Sequence, residues 1–423
     1  MSTSHTADLV VVGAGAAGLM AAIACARQWP AARVTCLDGA RTIGAKILVS
    51  GGARCNVTNR VVTERDFWGG RSRVVRDVLR AFPAARAATF FAELGVALHE
   101  EADGKLFPDS NRARTVLDAL VRELTRLDVG LRAGHRVRDV RRRAGAYEVD
   151  TAEGTWVARA VVLAAGGRSL PKSGSDGFGY ELARRLGHGH VDTTPALVPL
   201  MFDDDRLRAL SGVAHPAAIV VRVAGSKPMR FAGALLWTHF GASGPVVLNA
   251  SRHWARAAVA GHRVEVVATV LPDETFETLD AWLVDAAVRQ PRAAVATVLA
   301  SRLPAAVADT WVARAGLAGD ESMAHLSRDA RRALVRTLVE TRIDVRDTRG
   351  YTYAEATAGG VPLDEIDPRT MESRRCPGLY LVGEILDVDG RIGGFNFQWA
   401  WSSGWVAGRA VGDVLRSARR GPR

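Results

Sequence analysis

The feature that most constrains the fold of this chain is a glycine-rich turn near its amino terminus. Residues 13–18 read GAGAAG, which is the pattern G-x-G-x-x-G. They follow the apolar run DLVVV at 8–12, typical of a buried parallel strand, and precede an alanine-rich stretch that predicts a helix to about Arg27. A second strand, RVTCL at 33–37, completes a β-α-β unit. We therefore expect a Rossmann-type nucleotide-binding fold at this end of the chain.

Each residue of this turn has a separate physical role. Gly13 permits the tight turn, and Gly15 lets the backbone approach a pyrophosphate. Gly18 allows close packing of helix on strand, while Ala16 opens the helix whose free N–H groups attract phosphate. Asp38 ends the second strand about twenty residues further on, where a carboxylate accepts hydrogen bonds from ribose hydroxyls. Glycine-rich turns also occur for structural reasons alone, but the combination indicates a dinucleotide site without separating FAD from NAD.

The character of the chain changes part-way along its 423 residues, a length that favours two or three domains. Short β-type runs alternate with turns over 191–270, which predicts an antiparallel or barrel-like insert. Ala, Arg and Leu recur at helical spacing over 273–340. Residues 344–423 return to glycine-rich loops, a strand and a long last helix. The content of 48% hydrophobic and 24% charged residues is globular rather than disordered.

The formal net charge of +11 comes almost entirely from arginine, because lysine occurs only at positions 46, 105, 172 and 227. Such a charge suits an acidic partner such as nucleic acid. The arginines are spread along the chain, however, and local runs of them are typical of solvated surfaces. A nucleic-acid partner is therefore the less favoured interpretation, and a ligand carrying a pyrophosphate also suits the charge.

The cysteine pattern and the hydropathy predict the cellular compartment of the protein. Four cysteines occur without a C-x-x-C pair, and no spacing typical of a metal site is visible, so no metal is predicted. Scattered thiols fit a reducing compartment. No apolar run approaches the roughly 20 residues that a membrane helix needs, and the stretch 9–26 lacks the pattern of a signal peptide. We expect a soluble cytoplasmic protein without a membrane partner; the oligomeric state stays open.

Three further segments carry a resemblance to a known family. Residues 46–59 read KILVSGGARCNVTN, residues 238–251 read THFGASGPVVLNAS, and residues 369–408 read RTMESRRCPGLYLVGEILDVDGRIGGFNFQWAWSSGWVAG. With the amino-terminal turn, they resemble the bacterial FAD-dependent oxidoreductases described as aminoacetone-oxidase-like or bile-acid-reductase-like flavoproteins. The resemblance spans almost the whole chain. The sequence departs from the family pattern at Ala53, where the family usually has a third glycine before Arg-Cys-Asn.

The resemblance implies an α/β architecture with a divided cofactor domain. A Rossmann-type FAD-binding domain is expected from 1–190 and 345–423. An inserted β-rich, barrel-like domain over 191–344 is expected to carry a helical subdomain at about 273–340. The change of character along the chain agrees with this division.

The carboxy-terminal segment contains a second set of expected FAD contacts. Gly383 and Glu384 end a strand, where the carboxylate can hold the ribityl hydroxyls of a flavin and Asp387 can assist. The next helix opens with glycines whose backbone N–H groups can meet the N1/O2 edge of the flavin. A glycine-capped surface helix is the structural alternative. The FAD contacts expected at the start of this helix are Gly393, Gly394, Phe395 and Asn396.

The resemblance places the loop 46–59 along the ribityl chain and ring of FAD. Lys46 and Arg54 are expected to neutralise phosphates or the flavin carbonyl edge. Further cofactor contacts are expected in this loop at Gly52, Cys55 and Asn56. Two more are expected at Ala165 and Gly166, in the turn that follows a strand ending at 163.

Two side chains are candidates for a role in catalysis. His239, within the THFG sequence at 238–241, is the candidate proton donor, although a lone histidine is often structural. Cys55 is a second candidate, with a small buried packing residue as the favoured alternative.

The expected reaction is a hydride transfer through flavin N5. The chain lacks a second G-x-G-x-x-G fold, so a nicotinamide would have no Rossmann domain of its own. Three hypotheses stay open. They are an NAD(P)H-linked reduction of a small unsaturated or carbonyl compound, an oxygen-using oxidation of a small amine, and a flavin-bound protein that interacts with RNA.

Overall fold

The computed structural model describes residues 4–419 and divides into two compact units. Unit 1 comprises the residues up to Thr193 and those from Glu355 onward, and unit 2 comprises Thr194–Ala354. The sequence placed the return to the first domain at 345. The structure has it at Glu355 because β18 (Asp347–Thr348) pairs with β12 (Leu200–Met201) inside unit 2.

The first section of the chain contains β1 (Ser4–Val12), α1 (Ala16–Gln28), β2 (Val34–Asp38), α2 (Ala45–Ala53), β3 (Thr58–Asn59), β4 (Phe67–Gly69), α3 (Ser72–Ala81), α4 (Ala84–Glu93), β5 (Leu98–Glu101), β6 (Lys105–Pro108), α5 (Ala113–Arg126), β7 (Gly130–Ala133), β8 (Val137–Arg143), β9 (Ala146–Thr151), β10 (Thr155–Leu163), α6 (Phe178–Arg185) and β11 (Val191–Ala196).

Unit 2 then contributes β12 (Leu200–Met201), α7 (Asp205–Arg208), β13 (Ala214–Val223), β14 (Met229–Thr238), β15 (Gly241–Ser243), α8 (Pro245–Val259), β16 (Val264–Thr269), α9 (Phe276–Arg289), α10 (Val295–Leu299), α11 (Ala305–Arg314), α12 (Arg328–Val339), β17 (Thr341–Ile343) and β18 (Asp347–Thr348). The chain returns to unit 1 with β19 (Ala356–Gly360), β20 (Leu379–Leu381), β21 (Val388–Gly390) and α13 (Phe395–Arg419).

The main sheet of unit 1 is Rossmann-type. Its parallel strands run in the order β7-β2-β1-β10, and β20 continues the sheet beside the second half of β10. β9 and β8 extend it in antiparallel fashion from the first half of β10. Parallel strands end at the same edge of a sheet, so the segments that follow them lie together there. These segments are residues 13–18, Asp38, residues 164–167 and residues 383–384.

Helix α13 packs on α1 through a stripe of glycines. A Cβ at Gly404 would lie 2.4 Å from the carbonyl oxygen of Ala17, and a Cβ at Gly408 would lie 2.2 Å from that of Ala21. Because α1 is rich in alanine, the two helix backbones approach closely. This packing fixes the last helix of the chain against the first helix of the Rossmann unit.

Unit 2 is built on an antiparallel sheet with strand order β17-β16-β13-β14-β15-β12-β18. Helices α9 to α12 form the helical part of the unit, as the sequence predicted for 273–340. Trp237 of the sheet and Trp311 of α11 are fully buried, with ring centroids 5.8 Å apart. The apolar interior of unit 2 therefore joins its sheet to its helices. Within residues 4–419, no helix combines the length and the hydropathy needed to cross a membrane.

Candidate active site

The glycines of the amino-terminal turn differ in what their surroundings require. A Cβ at Gly13 would lie 2.4 Å from the carbonyl oxygen of Ala164, and a Cβ at Gly18 would lie 1.9 Å from that of Gly13. Protein packing alone therefore demands glycine at both positions. A Cβ at Gly15 would meet no atom within 4 Å. The space beside Gly15, at the start of α1, is open to a ligand, which fits a phosphate at a helix N-terminus.

Asp38 lies at the end of β2 and holds the turn together. Its Oδ2 accepts a hydrogen bond of 2.7 Å from the backbone N–H of Ala14, and its Oδ1 accepts one of 2.7 Å from Ala40. Burial raises the pKa of this carboxyl, although the two hydrogen bonds act in the opposite direction. Each carboxylate oxygen keeps a further lone pair, so Asp38 can also accept hydrogen bonds from ribose hydroxyls.

Lys46 and Glu384 form an ion pair in unit 1. The Nζ of Lys46 lies 2.5 Å from Oε2 of Glu384 and donates to Oγ of Ser169 over 2.8 Å. Ser169 in turn donates to Oε1 of Glu384 over 2.7 Å. The side chains of Lys46 and Glu384 are 24% and 18% exposed, so the pair remains accessible to a ligand. The sequence predicted both residues as cofactor contacts, but not this pairing.

Two residues that the sequence analysis did not single out complete this cluster. The backbone N–H of Thr357 donates to Oε1 of Glu384 over 2.8 Å, and its Oγ1 accepts from the N–H of Ser169 over 3.0 Å. A Cβ at Gly167 would lie 2.9 Å from Oε1 of Glu384. The sequence signal for these residues was weak, because Gly167 lies in the glycine-rich turn after β10 and Thr357 lies in the short strand β19. The predicted contacts Ala165 and Gly166 precede Gly167 on the same turn, after β10.

The last residues of α2 depart from helical backbone geometry. Gly51 and Gly52 have φ angles of 55° and 66°, and Ala53 follows with a φ of 65°. A Cβ at Gly52 would meet no atom within 4 Å, so this predicted contact also faces open space. Ala53, the departure from the family pattern, therefore occupies a left-handed conformation that favours glycine.

Arg54 contacts two side chains of the protein that the sequence did not predict. Its Nη1 lies 2.5 Å from Oε1 of Glu101, and its guanidinium lies 4.2 Å from the ring centroid of Phe107. Both partners belong to the β5–β6 hairpin. Arg54 is therefore paired with a carboxylate of the protein, and its expected contact with a phosphate or the flavin edge stays a prediction.

Cys55 and Asn56 lie inside unit 1. Burial raises the pKa of the Cys55 thiol to about 12, so the thiol stays protonated near neutral pH and its surroundings favour packing over a thiolate role. Asn56, with its amide oriented to satisfy its hydrogen bonds, accepts from the N–H of Gly394 over 3.1 Å and donates to the carbonyl of Thr58 over 2.8 Å. The N–H of Gly394, expected at the flavin edge, is thus satisfied by Asn56.

The start of α13 is held in place by its own loop. Oδ1 of Asn396 accepts from the N–H of Gly390 over 2.8 Å, and its Nδ2 donates to the carbonyl of the same residue over 3.0 Å. A Cβ at Gly394 would lie 2.5 Å from the carbonyl carbon of Thr58, so the backbone approaches β3 closely. The first-turn N–H groups, which begin at the buried Phe395, have no acceptor inside the helix and can meet an anionic ligand edge.

The remaining predicted residues lie in different places. Asp387 is buried, and its backbone bonds to Val361 and Gly70, so it belongs to the interior beside β21. Gly383 has a φ of 76° and approaches Ala17 of α1. His239 lies in unit 2, in the turn between β14 and β15. Its ring is exposed, and its carbonyl oxygen accepts a hydrogen bond of 2.7 Å from Nε of Arg208.

The residues of unit 1 fit FAD. The space at Gly15 suits a pyrophosphate, and Asp38 lies where a ribose would bind. The accessible Lys46–Glu384 pair and the start of α13 offer polar groups to a ribityl chain and a flavin ring. All of them follow parallel strands or open helices at one edge of the sheet, which is where open α/β sheets bind ligands.

Comparison with known proteins decides the family. The sequence profile of the HI0933-like protein Rossmann domain matches residues 7–410. The chain belongs to the HI0933-like family. This is a family of FAD-dependent oxidoreductases, so the expected enzyme class, the FAD cofactor and the Rossmann-type fold are confirmed.

Two curated relatives of this HI0933-like chain match it over nearly its whole length. The ribosomal RNA dihydrouridine synthase of Escherichia coli (strain K12) is 34% identical over 402 residues, which are 94% of this chain and 96% of the relative. The 3-dehydro-bile acid delta(4,6)-reductase of Clostridium scindens is 33% identical over 403 residues, which are 95% of this chain and 98% of the relative. The resemblance to bile-acid-reductase-like flavoproteins is thereby confirmed.

The HI0933-like fold also resembles a solved structure. The 3-ketosteroid-delta4-(5alpha)-dehydrogenase of Rhodococcus jostii RHA1 superposes with a TM-score of 0.50 at 14% identity, covering 96% of this chain and 97% of that chain. At this identity the likeness concerns the fold. That dehydrogenase and this chain therefore share a fold over nearly their whole lengths.

Proposed function

We propose that this HI0933-like protein reduces a carbon–carbon double bond that is conjugated to a carbonyl group. One observation carries the proposal. Its relatives at 34% and 33% identity are named for reactions on different molecules, uridine in ribosomal RNA and a 3-dehydro bile acid. In uridine the double bond is conjugated to a ring carbonyl, and in the bile acid it is conjugated to the 3-keto group. Both reactions therefore reduce a carbon–carbon double bond that is conjugated to a carbonyl group.

The charge of the chain favours RNA as the substrate. Sequence identity does not choose between the two relatives, because 34% and 33% are nearly equal. The formal net charge of +11 favours a polyanion over a small steroid. We therefore propose a uracil base in RNA as the substrate, although the sequence analysis gave nucleic acid the lesser weight. A small enone is the second candidate, supported by the bile acid reductase.

The residues of unit 1 have distinct roles in holding FAD, which supplies hydride chemistry when bound. Gly15 and the start of α1 receive the pyrophosphate, and Asp38 receives the ribose of the adenosine. The Lys46–Glu384 pair holds the ribityl hydroxyls. The start of α13 places its positive dipole end at the pyrimidine edge of the ring, where it favours a negative charge.

The overall reaction needs a hydride, a proton and an electron donor. One carbon of the double bond gains a hydride, and its neighbour gains a proton. NAD(P)H donates the hydride equivalent and becomes NAD(P)⁺. His239, whose ring is exposed in a turn of unit 2, stays the predicted proton donor. Neither relative's name describes an oxidase, so the amine oxidase hypothesis is not carried forward.

A product assay tests this function. The FAD-loaded protein is incubated with NADH or NADPH and one of two substrates, a uridine-containing RNA transcript or a 3-oxo-4,6-diene bile acid. Mass spectrometry of the digested RNA is expected to show uridine nucleosides that have gained two hydrogens, and loss of NAD(P)H is expected to match. Reduction of the bile acid alone would identify the small enone as the substrate. Reduction of neither compound would contradict the proposal.

A further inference from the structure

An exposed aromatic ring marks one surface of unit 2. The side chain of Tyr353 is 49% exposed. The other large hydrophobic side chains that are exposed within residues 4–418 are valines. Aromatic rings contribute a large apolar area, so a protein usually covers them unless a ligand or partner uses them.

An arginine is stacked on this ring. The guanidinium carbon of Arg349 lies 3.5 Å from the ring centroid of Tyr353 and 4.2 Å from that of Phe240, so the arginine lies between two aromatic rings. Its backbone N–H donates to the carbonyl of Pro199 over 3.1 Å, which fixes the segment after β18. Within the described part of the chain, Arg349 has no carboxylate partner. It therefore brings a positive charge to one face of the Tyr353 ring.

The same surface adjoins the candidate proton donor. Phe240, the second ring beside Arg349, follows His239 directly and contacts its ring edge-on at 5.0 Å between centroids. Arg208 donates to the carbonyl of His239 and fixes this turn from the other side. A planar group stacked on Tyr353 would therefore lie on the part of unit 2 that carries His239.

We propose that Tyr353 and Arg349 form a stacking platform for an unpaired base of the RNA substrate. The proposal rests on the proposed function and specifies how that substrate is recognised. Proteins bind unpaired RNA bases by stacking them on aromatic rings and guanidinium planes, and an adjacent arginine contacts the phosphate. Tyr353 offers an open ring for the base, and Arg349 stiffens that ring and supplies the charge.

The alternative role for this cluster is structural. An arginine between two rings can simply fix the loop that ends unit 2. That role requires the contact between Arg349 and Tyr353, but it does not require half of the Tyr353 side chain to face solvent. The alternatives differ in what happens when only the ring of Tyr353 is removed.

The test uses the FAD-loaded full-length protein and a single-stranded RNA oligonucleotide that contains the fluorescent base 2-aminopurine. Anisotropy of an end label measures affinity, and 2-aminopurine fluorescence measures stacking. The Tyr353→Ala change is expected to weaken binding about tenfold, the scale of one stacked base, and to reduce the quenching of 2-aminopurine. Tyr353→Phe keeps the ring and should bind within about twofold of the parent.

Two controls separate stacking from charge and from misfolding. Arg336→Gln removes one exposed arginine of α12 and should lower affinity at low salt without changing the 2-aminopurine signal. Val288→Ala trims a side chain that is 78% exposed and should have no effect. The flavin content of every variant should equal that of the parent, because the FAD residues lie in unit 1.

Two results would overturn the platform, and they are distinguishable. If the parent reduces uridine in RNA but Tyr353→Ala binds the oligonucleotide as tightly and quenches 2-aminopurine equally, the platform is wrong and the proposed function stands. If the parent neither binds the oligonucleotide nor reduces uridine, both fail together. If the parent protein reduces the bile acid but not uridine in RNA, the enzyme acts on small molecules and the RNA platform is wrong.

Discussion

Lys46 and Glu384 meet with 2.5 Å between Nζ and Oε2, although they are 338 positions apart in the sequence. Ser169 bonds to both, and Thr357 bonds to the same carboxylate. The pair therefore ties the start of α2 to the turn after β20 at the ligand-binding edge of the sheet. Its geometry makes Glu384 both a fixed acceptor for its neighbours and a candidate ligand for FAD.

Replacement of Glu384 by alanine is expected to weaken FAD binding by about 1–3 kcal/mol, which is roughly 5- to 150-fold. The change removes the acceptor of Lys46, Ser169 and the backbone of Thr357, together with the expected hydrogen bonds to the ribityl chain. Titration of the apoprotein with FAD measures the effect. Glu181→Ala, which removes an exposed carboxylate of α6, serves as the control. Unchanged affinity in Glu384→Ala would remove Glu384 from the cofactor site.

Gly15→Val should lose FAD without unfolding the apoprotein. A Cβ at this position would meet no protein atom within 4 Å, so the valine side chain is expected to enter the space assigned to the pyrophosphate. Gly18→Ala should do the opposite and lower the thermal midpoint, because its Cβ would lie 1.9 Å from a carbonyl oxygen. Flavin absorbance and thermal unfolding of the two apoproteins measure the contrast. A Gly15→Val protein with full flavin content would contradict the assignment.

Ala53→Gly is expected to stabilise the protein by about 0.5–1 kcal/mol. Ala53 has a φ of 65°, a conformation that costs a residue with a Cβ roughly 1–2 kcal/mol, and glycine relieves this cost at some loss of chain entropy. Urea unfolding at a fixed FAD concentration measures the change. Ala144→Gly provides a comparison at another positive φ of 46°, in a turn between two strands. A less stable Ala53→Gly protein would show that the methyl group makes a needed contact.

His253 is expected to make the protein sensitive to acid. Burial lowers the pKa of its imidazole from 6.5 to about 3. Below pH 6.5 the unfolded chain binds a proton at this residue that the folded chain does not, so stability falls as the pH drops towards 3. His253→Gln should therefore lose less stability than the parent between pH 6.5 and 4, by up to about 1.4 kcal/mol per pH unit. Identical slopes in urea unfolding would contradict the assigned cause.

Local patterns in the sequence predicted the first half of the cofactor site. The turn at 13–18 and Asp38 belong to one β-α-β unit, so their spacing along the chain reflects their arrangement in space. The role of Gly18 also followed from local geometry, because its close approach is to Gly13 of the same turn, whereas Gly13 approaches Ala164, which follows the distant strand β10.

The rest of the site depends on contacts that spacing does not reveal. Ser169 and Glu384 are 215 positions apart, and their meeting depends on β10 and β20 being neighbours in the sheet. The ion pair of Arg54 with Glu101 is a second contact that the sequence did not predict, because it depends on where the β5–β6 hairpin lies in the fold. The packing role of the glycines in α13 could not be predicted from the sequence, because it depends on the contact of α13 with α1.

The electron transfer from flavin to substrate tests the central claim most directly. The FAD-loaded protein is reduced under anaerobic conditions with NADPH or dithionite, and uridine-containing RNA is then added. We predict that the visible absorbance of oxidised flavin returns and that the RNA gains two hydrogens per flavin reoxidised. A 3-oxo-4,6-diene bile acid should restore the absorbance only if the site accepts small enones. If the absorbance returns only when oxygen is admitted, the protein is not a reductase of conjugated double bonds.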